Sequence, residues 1–172
     1  MNPHGDETMT FDFKKKNTLS SEVSHKILEH FDSMAKNCQE VLEAAFGEKI
    51  DFSESSLKLL DKGIALFHKD LFESDDSQEP IDEEQYNYFV CMFGSYLGEV
   101  IKRNMGGKWI PRSPYWDSTI LISNKMELAP FNMIHKRFTE EFKKGSIYKK
   151  YRGLGVKLKF IKLKDEKEIY IR

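Results

Sequence analysis

The chain has 172 residues, of which 40% are hydrophobic, 32% charged and 13% aromatic. That composition can fill a core and excludes a disordered or fibrous chain. A formal net charge of −1 supplies no global field to gather nucleic acid or membrane. No apolar run approaches the roughly 18 residues of a membrane span, and the N-terminus lacks a signal-peptide core, so a cytoplasmic protein is expected.

Residues 1–17 are polar and include Lys14, Lys15 and Lys16. They read as an N-terminal arm, with Phe11 and Phe13 as the residues to dock on a single domain spanning 18–172. From Ser20 or Ser21 to Phe46 apolar residues such as Val23, Ile27, Phe31, Met34, Cys38 and Leu42 recur at helical spacing. Gly47 is a natural stop. His25 and His30 stand five apart, off the i,i+4 spacing of a helical metal pair, and read as surface residues.

A second helix is expected over 51–72. Asp51 and Ser53 are candidate caps, and Asp51 with Glu54 has capping-box spacing. Asp61, mid-helix, is placed to pair with Lys58 or Lys62. Residues 70–84 carry eight acids and no base, without a loop glycine or EF-hand spacing, and read as a solvated linker running into a helix start.

The organising element is a long helix beginning at Asp82, with Gln85 completing a capping box and Ile81 and Tyr86 a hydrophobic staple. Gly106 and Gly107 close it, and Trp109 follows. Tyr86, Phe89, Val90, Phe93, Leu97 and Ile101 give it a wide apolar stripe. Gly94 and Gly98 lie four apart beside that stripe. Each costs about 1 kcal/mol against alanine inside a helix, so close approach of another backbone is expected there. Glu99, next to Gly98, has two readings: a framework residue, ion-paired with Arg103 or hydrogen-bonded to a loop, or a functional carboxylate.

Beyond Trp109 the pattern turns extended. Strands are expected over 108–112, 118–123 and 126–128, with Pro114, Tyr115, Trp116 and Asp117 as a turn. A helix is expected over 130–142, a short helical turn over 147–151, a strand over 156–163 and a hairpin partner over 168–172. The architecture is α+β: N-terminal helices, one long central helix, then a small antiparallel sheet with a further helix.

Three stretches carry a resemblance. Residues 51–61 are similar to a DYS-x-x-SL-x-x-LD opening, with Phe52 in place of its tyrosine. Residues 93–101, from Phe93 through Gly94, Tyr96, Gly98 and Glu99, resemble a G-x-Y-x-G-E-V helix followed by a tryptophan, here Trp109. Residues 130–138 resemble a P-F-x-x-I-x-K-R segment. Together they resemble a group of small bacterial domains of unknown function. The resemblance implies a fold and imports no chemistry.

Catalytic templates are missing: there is no Gly-x-Ser-x-Gly elbow, phosphate-cradling loop or His-Glu-x-x-His. Cys38 and Cys91 fall among apolar neighbours and read as core residues in a reducing compartment. No metal or cofactor is expected. Residues 143–172 hold eleven Lys or Arg against three acids, with lysines alternating as on a solvated sheet face. An acidic protein surface suits that patch, and nucleic acid is the rival reading. The expected function is non-enzymatic: a protein-binding or accessory, immunity-like domain using Tyr115, Trp116, Lys157 and Lys159. The alternative is an enzyme or small-ligand binder that joins Glu99 to Tyr96, Trp109 and Arg137 in a cleft between helix and sheet.

Overall fold

The computed structural model describes residues 19–72, 83–122, 126–139 and 145–158. The expected arm at 1–17, the Asp82 cap with its Ile81 staple, the 124–125 turn and the 168–172 hairpin strand all lie outside them.

Helix α1 (Ser21–Phe46) starts where the Ser20 hydroxyl accepts from the Val23 N–H at 3.3 Å. It stops at Gly47, whose φ of +68° closes the last turn. Its buried side is Phe31, Met34, Ala35, Cys38 and Leu42, while Val23 at the start is exposed.

Helix α2 (Leu57–Phe72) begins six residues after the start of the span expected for it. Residues 52–56 form turns instead, because serine side chains there compete for the backbone. The Ser53 hydroxyl accepts from Ser56 N–H at 3.3 Å, and the Ser56 hydroxyl donates to the Ser53 carbonyl at 2.6 Å. Phe52 has φ +59°, outside the right-handed helical region.

Helix α3 (Glu83–Met105) ends at Gly106, whose φ is +71°. It departs from the stripe expected of it. Val90 through Ile101 are buried on every face, Ser95 and Glu99 included. Helix α1, helix α4 (Pro130–Thr139) and the sheet surround it, so its polar side also faces protein. The two glycines are crowded, but by aromatic rings rather than by a facing backbone alone. A Cβ on Gly98 would overlap the Trp109 indole. One on Gly94 would overlap the Phe131 ring and stand 3.2 Å from the Phe131 Cα.

The sheet is antiparallel in the order β1 (Lys108–Ile110), β2 (Thr119–Ile122), β3 (Met126–Leu128). Trp109 pairs with Ile120 and Ile120 with Leu128, so these three buried side chains share the face toward α3. Pro111 ends β1, and a 3-10 turn at Tyr115–Asp117 carries the chain to β2.

Two expectations near the C-terminus are corrected. The short turn at 147–151 is a full helix, α5 (Ile147–Lys157), and the strand expected from 156 fails where it can be seen: Val156 and Lys157 close that helix and Leu158 is its cap. Residues 159–163 lie outside the described set. Ile147, Tyr151 and Gly155, at i, i+4 and i+8, form the buried face of α5. That helical register, fixed by a cap at Ser146, overrides the alternation of apolar residues with lysine. Among the described residues, all the buried hydrophobics belong to one cluster.

Candidate functional site

Glu99 is 3% exposed, and three neighbouring groups hold its carboxylate. Oε1 accepts from Lys102 Nζ at 2.8 Å and from the Trp109 indole Nε1 at 3.1 Å, while Oε2 lies 3.4 Å from Arg103 Nε. Of the residues expected to form a cleft, the structure therefore brings Glu99 and Trp109 together and holds both in the core. Tyr96 stands apart from them. Its hydroxyl donates to Ser56 Oγ at 2.7 Å and accepts from the Phe52 N–H at 3.2 Å, and burial pushes its pKa up to about 12.

Phe52 links these two groups. Its carbonyl accepts from Asn104 Nδ2 at 2.9 Å, and the Arg103 guanidinium lies 3.9 Å above its ring. Its left-handed backbone costs about 1–2 kcal/mol, and these contacts offset that cost. The first two resemblance stretches thus meet one another inside the molecule: 51–57 grips α3 at Tyr96, Arg103 and Asn104.

Arg137 is elsewhere, buried beside Asp61, with Nε 3.5 Å from Asp61 Oδ1. Here the pairing expected for Asp61 within its own helix is corrected. The carboxylate accepts from Ser146 Oγ at 2.7 Å, Ile147 N at 2.9 Å and Tyr148 N at 3.1 Å. An acid on α2 thereby caps the start of α5, where free N–H groups and the positive helix end favour it.

The residues expected to bind a partner lie on the outside. Trp116 is 48% exposed and Tyr115 half-buried. They close one end of an open groove of about 620 Å³ between α1 and α3, lined by His30 and Met34 on α1 and by Glu83, Glu84, Asn87, Tyr88 and Cys91 on α3. Tyr115 is set by its neighbours: its ring meets His30 edge-on at 6.0 Å, and His30 Nε2 in turn lies 3.5 Å from the Cys91 thiol. Tyr88, exposed, takes a hydrogen bond from Asn37. Glu83 and Glu84 lie roughly 10–12 Å along α3 from Cys91 at 1.5 Å per residue, and they put negative charge at the end away from Trp116.

Burial raises the Cys91 thiol to about 11 and the Tyr115 phenol to about 12, so both stay protonated and neither is a nucleophile at neutral pH. Cys38 and Cys91 are both free and buried. Among the described residues no group of three His, Cys, Asp or Glu gathers to hold a metal ion, and no helix is long and apolar enough to cross a membrane.

Lys157 is exposed on the last turn of α5, on a second groove, and Lys159 lies outside the described residues. The sequence reading missed His30, Tyr88 and the Glu83–Glu84 pair as groove residues. A signal was present: Glu84, Tyr88 and Cys91, at i, i+4 and i+7, make a face distinct from the apolar stripe.

No family model, curated protein or solved structure matches this chain.

Proposed function

We propose that this chain is a non-enzymatic protein-binding domain whose partner seats a segment in the α1–α3 groove, anchored on Trp116. The observation that carries this reading is the exposure of Trp116, at 48%, on a groove whose lining includes Met34, Tyr88 and Tyr115. An exposed tryptophan on a fixed turn loses little side-chain entropy on binding and is the residue type that most often dominates an interface. Glu83, on the first turn of α3, selects a cation. The segment that fits is an apolar side chain followed by a lysine or arginine.

Such a domain acts by occupying its partner, as an accessory or toxin-neutralising immunity protein does. Two free, buried thiols suit a reducing cytoplasm. The motifs at 51–61, 93–109 and 130–138 support placing the chain with the small bacterial domains it resembles. The alternative reading, chemistry at Glu99, gains nothing from a carboxylate already held by Lys102, Arg103 and Trp109.

The test is titration of the full chain with synthetic peptides that pair leucine or phenylalanine with arginine, followed by tryptophan fluorescence. Saturable binding that fails with glutamate in place of the arginine supports the proposal. Equal, weak response to both peptides would overturn it.

A further inference from the structure

Spacing along any one helix conceals a donor set that two helices bring together. Helices α1 and α3 pack so that His30 of one faces Cys91 of the other, with His30 Nε2 3.5 Å from Cys91 Sγ. Met34 stands one turn beyond His30, at i+4 on the same face of α1, and all three side chains line one groove. Cys91 and Met34 are buried while His30 is exposed, so an ion has a path in past the imidazole. The Tyr115 ring holds that imidazole edge-on at 6.0 Å. We infer that His30, Met34 and Cys91 form a binding site for a soft monovalent metal ion, Cu(I).

The spacing of the donors fits. A metal about 2.3 Å from a thiolate sulfur and about 2.0 Å from an imidazole nitrogen holds those two atoms about 3.5 Å apart at a tetrahedral angle. Sγ and Nε2 already stand at that separation, so neither helix has to move. Met34 reaches the same point through a flexible, unbranched stem. Donor softness then selects the ion. Thiolate and thioether sulfurs favour Cu(I), and imidazole also suits copper. Magnesium and calcium need oxygen ligands, which this trio does not offer. No oxidation state changes on binding. The Cys91 S–H bond breaks, an S–Cu bond forms, and the proton leaves to water. The imidazole meets the ion through the Nε2 lone pair, with its own proton on Nδ1.

The experiment titrates the full chain with Cu(I) in oxygen-free ascorbate buffer against a chromogenic Cu(I) chelator. The chain should withhold Cu(I) from the chelator. His30→Ala and Met34→Leu should each weaken that uptake by about tenfold or more. His30 is exposed and leucine matches methionine in volume, so both variants should fold, which circular dichroism checks. The ultraviolet thiolate-to-copper band should vanish in Cys91→Ser and persist in Cys38→Ala, which removes the other free thiol. Uptake is read without any peptide, so its failure leaves the function proposed above standing. No uptake by the chain, uptake indifferent to His30→Ala or to Met34→Leu, or a band lost in Cys38→Ala rather than in Cys91→Ser would each overturn the site.

Discussion

The Trp109 indole donates to Glu99 at 3.1 Å, and the same ring fills the space that Gly98 leaves by having no side chain. One ring thus accounts for a glycine inside a helix and for a buried carboxylate beside it. The sheet reaches the central helix through this contact, since Trp109 lies on β1.

Removing the acceptor should therefore act on stability. Glu99→Ala strands the indole N–H in the core and should cost about 1–3 kcal/mol. Glu99→Gln keeps an acceptor oxygen and should cost less. Urea denaturation of the two variants checks this, and an unchanged midpoint for the alanine variant would contradict it.

Gly98→Ala and Gly94→Ala should both destabilise, although alanine is the better helix former by about 1 kcal/mol. The new methyl meets Trp109 at one site and the Phe131 ring and backbone at the other, and overpacking of this kind costs about 1–3 kcal/mol. Gly153→Ala is the control. Its added Cβ has nothing within 4 Å and its backbone is helical, so that variant should be neutral or stabilised. Thermal melts of the three variants decide the matter.

Asp61→Ala should release α5. The carboxylate caps that helix at Ile147 and Tyr148 and faces the buried Arg137, so its loss should cost about 2–4 kcal/mol. Hydrogen exchange should rise first at residues 147–157. Uniform exchange across the chain would show that Asp61 does not serve α5 in particular.

Alkaline pH should weaken the fold. Burial raises Cys91 from 9.0 to about 11, and Tyr96, Tyr115 and Tyr151 from 10.0 to about 12. Their neutral forms are favoured in the folded chain, so they stabilise it fully below the unfolded values. That stabilisation is lost as pH rises through the window from 9.0 to about 12. The urea midpoint should be flat near neutrality and fall above about pH 9, and Tyr151→Phe should shallow the fall. A midpoint unchanged up to pH 11 would contradict this assignment.

Local signals were legible in the sequence. Ser20, Gly47 and Gly106 mark helix ends, and three short strands follow Gly107. The errors share a cause. Asp61 bonds across 85 or more positions to Ser146 and Ile147, and no local pattern announces such a partner. The same remote cap sets α5 in helical register, which is why Val156 and Lys157 looked like a strand start. Burial of α3 on all sides depends on how many elements pack around it, so a single stripe understated it. The exposed turn at Trp116 was readable, whereas the groove beside it needed α1 and α3 laid side by side.

The most direct test of the account compares Trp116→Ala with Glu99→Gln in peptide affinity and urea midpoint. Trp116→Ala should weaken binding of the leucine–arginine peptide about thirtyfold, as loss of an interface anchor worth about 2 kcal/mol does, with the midpoint unmoved. Glu99→Gln should do the reverse, lowering the midpoint and sparing affinity. Full affinity in Trp116→Ala, with binding lost in a stably folded Glu99→Gln, would contradict the account and return the function to the buried carboxylate.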